Sequence, residues 1–390
     1  MKPIAFNRTV RQKAMIVLTF LALFCNCSSQ PTVSQQETTL QPAPTASRSI
    51  KLAILLDTSN SMDGLIDQAK SQLWSIVNEL AKAKCDNTKP ELRIALYEYG
   101  NSGLTPTEGY IRMVTPLTND LDQISEDLFS LKTNGGQEFC GHVIQTALKE
   151  LQWSTTSNDY QVIFIAGNEP FTQGNVDFRK SCTLAKSKGV IVNTIFCGNF
   201  DEGISTKWKD GAILTSGNYS SIEQDRKTVY IETPYDKDIV ALNDKLNSTY
   251  IYYGSTGKEK MMLQSKQDAN ASTYGTGNAV KRTVSKSSHV YKNTSWDLVD
   301  ASKEKEFDMA KVESEQLPEE MKKMDEPQRK AYIAKKSAER EQINKQISEL
   351  NKKREVYLAQ QQKNTVGENM LEGALLESIR GQAKAKSFTF

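Results

Sequence analysis

Apolar residues in this chain come either in short unbroken runs or at spacings of three and four. Strands alternating with helices produce that pattern. The run Leu52 to Leu56 ends abruptly in Asp57-Thr58-Ser59-Asn60-Ser61. It is long enough for one buried strand and too short for a membrane span. Leu65, Ile66, Ala69, Leu73, Trp74, Val77 and Leu80 follow at helical spacing, and Asp86-Asn87-Thr88-Lys89-Pro90 breaks the pattern. Leu92 to Tyr99 alternates as a strand does, and a shorter strand over Tyr110 to Val114 completes a hairpin with it. Further helices are predicted over 120–131, 141–153, 177–188, 205–214 and 236–250. Strands are predicted over 161–166, 190–196 and, at an edge, 219–222. The strands ending at Leu56, Ala166 and Phe196 are apolar throughout, as strands covered on both faces are. The expected class is α/β, with a mostly parallel sheet and an antiparallel edge hairpin.

Past Gly254 the composition shifts to Gly, Ser, Thr, Lys and Asn, so 255–300 reads as a connector with one helical stretch near Met261 to Ala271. Trp296 to Asp300 is a small apolar anchor within it. Residues 301–390 read as a charged α-helical region, divided by Pro318 and Pro327. Ile343, Ile347 and Leu350 form a short coiled-coil heptad seam. Lys336, Arg340 and Arg354 occupy other seam positions, so a helical hairpin or a helix packed on a neighbour fits better than a long coiled coil. A small apolar helix is predicted over Met370 to Ile379.

The chain has 390 residues, room for about two domains. Its net charge of +2 leaves no nucleic-acid footprint. Arg8, Arg11 and Lys13 precede an apolar segment, Ala14 to Phe24, of signal-peptide length. With Cys25-Asn26-Cys27 after it, this stretch resembles a bacterial lipoprotein signal peptide over 1–27, with Cys27 as the lipidated residue. An ordinary cleaved signal is the alternative. Residues 28–49, rich in Pro, Thr, Ser and Gln, read as a disordered tether. The expected location is the cell envelope outside the cytoplasm (periplasm or outer membrane), held to the membrane by a lipid anchor. That compartment permits disulfides among Cys85, Cys140, Cys182 and Cys197. The two histidines, His142 and His289, and the lack of a Cys-x-x-Cys pair argue against zinc. His142 reads as a surface or capping residue and His289 as solvent-exposed.

Asp57, Ser59 and Ser61 alternate along an extended loop, which puts one carboxylate and two hydroxyls on the same side. Such a set suits a hard cation such as Mg²⁺, with a coordination position left for a partner's carboxylate. The alternative is that Asp57 and Ser59 cap the following helix without metal. Asp-x-Ser-x-Ser after a buried strand resembles the metal-ion-dependent adhesion site (MIDAS) of a von Willebrand factor type A (VWA) domain. The similarity covers 50–254, including the Gly135-Gly136 loop and the strand Gln161 to Ala166 with its loop. It implies a doubly wound sheet with the site at its top face. The family's threonine after the paired glycines is replaced by Gln137 and then Glu138, either of which can ligate. The family's aspartate after the later strand is replaced by Gly167 and then Asn168, with Glu169 a further candidate. On this fold Cys182 and Cys197 both fall near the top, and a disulfide between them is expected. The resemblance implies an envelope-anchored module that binds a protein partner with the help of Mg²⁺ or another divalent cation. A metal-independent structural or assembly factor is the alternative. An enzyme is not expected: there is no Gly-x-Ser-x-Gly elbow, no His-Glu-x-x-His motif, and no histidine near Ser59 or Ser61 in sequence.

Overall fold

The computed structural model describes residues 48–85, 88–223, 230–362 and 371–390, all within one compact unit. The leader, the tether up to residue 47 and Cys27 lie outside the described residues. Strands β1 (Ser49–Asp57), β2 (Glu91–Tyr99), β3 (Ile111–Thr118), β4 (Tyr160–Gly167), β5 (Ile191–Cys197) and β6 (Tyr219–Ile222) form one six-stranded sheet. Its order is β3-β2-β1-β4-β5-β6, and all neighbours run parallel except β2 and β3. The order reverses direction at β1, so the loops after β1 and β4 flank a switch point at the strands' carboxyl ends.

Alternation along the strands divides the core into two layers. Leu52, Leu96 and Val162 face one side and pack under α1 (Asp63–Lys82), α2 (Leu121–Ser130) and later helices. Leu55, Tyr97 and Ile165 face the other, under α3 (Cys140–Glu150) and α4 (Phe178–Ser187). The helix expected over 205–214 is two short ones, α5 (Phe200–Ser205) and α6 (Trp208–Ile213), separated at Lys207, whose φ is +78°. The edge strand β6 leads to α7 (Asp236–Asn247).

The expected connector is part of the body. It forms α8 (Gly257–Thr273) and α9 (Thr276–Lys286), which pack on α2, and on α1 and α7, respectively. The composition hides these helices because their buried residues are polar. Arg282, 1% exposed, pairs with Asp122 at 2.6 Å and Asp268 at 2.9 Å, and its guanidinium lies over the Trp74 ring. Lys286 reaches Asp268 at 2.7 Å. These cations hold the Asp268 carboxyl well below the usual range, against the opposing effect of burial.

The last helices join the same body. After α10 (Leu298–Ala301) and α11 (Glu319–Lys322) comes α12, Glu326–Gln362, packed on α7 and α9. Its seam residues Ile343, Ile347 and Leu350 dock on the main core, so the heptad serves this contact; among the described residues no second long helix pairs with α12 as in a coiled coil. Arg340 and Arg354, out of place in an apolar seam, are buried with acidic partners. Arg340 donates to Asp297 at 2.6 Å and Asp300 at 3.0 Å, and Arg354 to Asp236 at 2.8 Å. Helix α13 (Leu371–Ala385) buries Ile379 and Ala383, and Phe388 follows it into the core. Gln382 exchanges hydrogen bonds with Asn193 and accepts one from Tyr160 Oη, so β4 and β5 have polar partners on α13.

The disulfide expected between Cys182 and Cys197 is not formed. Both are buried thiols outside any disulfide, as is Cys140. Cys182 packs in the layer under α3 and α4, and Cys197 in the layer on the opposite face. Strand alternation, which a top-or-bottom placement ignores, puts the sheet between them. His289, expected to be exposed, is half-buried. Burial, with help from Lys89 and Lys292, pushes its pKa down to about 4, although its ring bonds the Pro90 carbonyl.

Removing one partner of the buried centre, as in Asp268→Ala, leaves Lys286 without a carboxylate and Arg282 with Asp122 alone, with an expected cost of roughly 3–5 kcal/mol in urea unfolding. Loss of the exposed Arg93–Glu91 pair is expected to cost under about 1 kcal/mol. An unfolded histidine takes its proton near 6.5, and His289 in the fold only near about 4. Stability is therefore expected to fall as pH drops through that window. In thermal melts at pH 7 and pH 5, H289Q is expected to lose less than the wild type.

Candidate functional site

The top loop of β1 begins where the apolar run can no longer continue. Asp57 closes β1 on the Leu55 side of the sheet, fully buried; Thr58 and Ser59 are buried beside it, and Ser61 is exposed. Backbone bonds hold the loop. Thr58 N–H donates to the Tyr99 carbonyl at 2.9 Å, and Asn134 N–H to the Thr58 carbonyl at 2.9 Å. The second bond ties the β1 loop to the glycine loop before α3. Gly136 lets that loop approach: a Cβ there would fall 2.1 Å from the Gly100 carbonyl oxygen.

The two candidates in that loop are placed differently. Gln137 is exposed, while Glu138 is 4% exposed and turned against Asp57. A Cβ placed on Gly100 would meet Asp57 Oδ1 at 2.7 Å and Glu138 Cγ at 2.8 Å, so both carboxyl side chains crowd one cradle. Gln173 fixes Glu138 by accepting its backbone N–H at 2.8 Å. From the β4 loop, half-buried Asn168 donates through Nδ2 to Ser61 Oγ at 3.1 Å, and the Ser59 and Ser61 hydroxyls lie 3.3 Å apart. The cradle therefore gathers Asp57, Ser59, Ser61, Glu138 and Asn168. Burial first, and then the charge of nearby Glu138, raises the Glu169 carboxyl.

Gly167 accounts for the missing side chain after β4. A Cβ at this position would fall 2.5 Å from Tyr99 Oη and 3.0 Å from Asp57 Oδ2. The Tyr99 hydroxyl donates to the Ala166 carbonyl at 2.9 Å and fills that space. Tyr99, Gly100 and Gln173 are supporting residues that sequence reasoning missed. The one available signal was the aromatic-glycine step that ends β2.

The electrostatics are those of a site short of positive charge. Burial first, and then Glu138, raises the Asp57 carboxyl well above its usual range; the Ser59 N–H, 2.8 Å from Oδ1, opposes this. Asp57 Oδ2, Glu138 Oε2 and Asn168 Oδ1 are buried atoms without a hydrogen-bond partner among the described residues. A buried oxygen left unmatched costs about 1–3 kcal/mol, more when charged. Three such oxygens with two hydroxyls beside them suit a hard divalent cation. Among the described residues no three His, Cys, Asp or Glu side chains gather at one point. The donors here are two carboxylates completed by neutral oxygens. Asp57 and Glu138 would hold the ion by charge, and Ser59, Ser61 and Asn168 by neutral oxygens. A bound ion would supply a Lewis-acidic centre at the solvent-facing edge.

Fold and cradle together define an α/β module with an oxygen-lined cradle at the sheet's switch point. Residues 51–205, from β1 to the end of α5, match the family model of the von Willebrand factor type A domain, and this segment carries that domain. No curated protein matches the chain. Among solved structures it is similar to the SpRpn10 VWA domain (18% identity, 46% of this chain and 90% of that one, TM-score 0.35). It is also similar to BatB from Bacteroides thetaiotaomicron (15%, 45% and 90%, TM-score 0.34). A third is proximal thread matrix protein 1 from the mussel byssus, described with a zinc-occupied MIDAS motif (13%, 46% and 43%, TM-score 0.34).

Replacing Glu138 by Gln removes the like-charge contact with Asp57. The metal-free protein is expected to gain about 1 kcal/mol in unfolding, as at other sites strained for function. The same variant is expected to lose most of the thermal stabilisation that Mg²⁺ or Mn²⁺ gives the wild type. An E138Q protein less stable than wild type without metal would contradict the crowding of charge at this site.

Proposed function

We propose that this chain is an envelope-anchored binding module that holds a protein partner through a divalent cation, Mg²⁺ or a similar ion, at the top of its VWA domain. The observation that carries this reading is the set of buried, unmatched oxygens Asp57 Oδ2, Glu138 Oε2 and Asn168 Oδ1 in one cradle, which a cation would satisfy. The cradle's exposed edge, at Ser61 and Gln137, leaves room for an approaching side chain. Carboxylate chemistry suits that position, so the partner presents an acidic residue. In this reading the chain is not an enzyme; Ser59 and Ser61 serve as oxygen donors.

The envelope assignment rests on the basic and apolar leader with Cys27 after it, which gives a lipid anchor. Among the described residues no helix is long and apolar enough to cross a membrane. No nucleic-acid role is proposed.

Calorimetric titration with Mg²⁺ and Mn²⁺ tests the reading. One ion per chain is expected to bind the wild type, with heat lost in Asp57→Ala. Silence with both ions, in a protein shown to be folded, would leave the metal-independent assembly role in its place.

A further inference from the structure

A second cavity lies far from the cation cradle. It measures about 410 Å³ and sits where the loop after α9 meets α12. This volume is within the range of about 300–1,000 Å³ typical of small-molecule sites. The His289 ring in its wall bonds the carbonyl of Pro90, just before β2 begins. The cradle is at the other end of that strand, nine residues or roughly 30 Å away.

The lining carries an excess of positive charge. Four lysines and Arg340 face it, against the carboxylates of Asp300 and Glu304. Arg340 and Lys286 are committed to Asp297 and Asp300, and to Asp268. Lys89, Lys292 and Lys303 are exposed and enter no ion pair among the described residues. Asp300 is taken by Arg340, so exposed Glu304 is the one opposing charge left.

The wall also holds two unsatisfied polar atoms. His289 Nε2 and Asn344 Oδ1 are buried and have no hydrogen-bond partner among the described residues. With its other ring nitrogen on Pro90, the neutral imidazole presents Nε2 as an acceptor. Asn344 Oδ1 is an acceptor as well. Both call for a donor, which water or a ligand hydroxyl supplies. The three free ammonium groups call for negative charge.

We propose that this cavity binds a small hydroxylated anion, such as a sugar phosphate or sugar acid. Its charged end meets Lys89, Lys292 and Lys303, and its hydroxyls meet His289 Nε2 and Asn344 Oδ1. Nothing in the cation-dependent reading of the top face requires this site.

Calorimetry of the full chain with glucose 6-phosphate, glucuronate, inorganic phosphate and glucose tests the proposal. Saturable binding of one glucose 6-phosphate or glucuronate per chain is expected, at least tenfold tighter than phosphate or glucose. The preferred sugar anion identifies the acidic group. The double variant K292E/K303E changes exposed residues alone and is expected to weaken that binding at least tenfold with the thermal midpoint unchanged. H289A is expected to erase the preference for the sugar anion over inorganic phosphate. Absence of saturable binding by both sugar anions, equal binding by glucose, or full affinity in K292E/K303E would overturn the proposal.

Discussion

A charged side chain can leave water here only if an opposite charge is waiting for it, and the helical half of the molecule depends on that condition. Asp268 accepts from Arg282 and Lys286 and from the amides of Asn243 and Asn247, so one carboxylate joins α7, α8 and α9. Arg340 on α12 meets Asp297, and Arg354 meets Asp236 at the start of α7. Apolar burial alone would hold these helices weakly, because α8 has few large apolar residues on any face. Matched charges add direction to the docking. The pairs offset their own desolvation only in one geometry, so they select the arrangement more than they strengthen it.

The top of the sheet inverts this condition. There, like charges are brought together, and among the described residues no cation is set against them. The arrangement holds because backbone bonds and close glycine contacts fix the loops independently of the carboxylates. Thr58 is pinned to Tyr99, Asn134 to Thr58, and Glu138 to Gln173. Oxygen donors positioned in advance require little ordering when an ion arrives. Glu138 and Asn168 come from loops whose paths the backbone already sets.

The sheet was legible in the sequence because β1, β4 and β5 are apolar runs, β2 alternates, and the loop after β1 is rich in side-chain oxygens. Asp57, Ser59 and Ser61 were legible for the same reason, since the change from apolar to polar falls at the strand's end. Gln137 and Glu138 could not be separated, because which one turns inward depends on the Gly136–Gly100 approach across two loops. The Cys182–Cys197 pairing failed because it placed residues by height and not by face. Helix α9 was hidden because Arg282, Lys286 and Ser285 are buried, although composition reads such residues as solvent-facing. Their partners, Asp122 and Asp268, are remote in sequence, and no local pattern announces them.

Strand β1 begins at the bottom of the sheet and runs through its centre, bonded in parallel to β2 along its whole length and to β4 along most of it. Arg48, just ahead of it, donates to the Lys386 carbonyl and lies over the Phe388 ring, so the two ends of the described chain meet there. A force applied ahead of residue 48 would act along the β1 axis. It would load both flanking ladders in shear, so that many hydrogen bonds must yield together. The cation cradle at the far end of the same strand would thus stand behind the part of the molecule best built to bear tension.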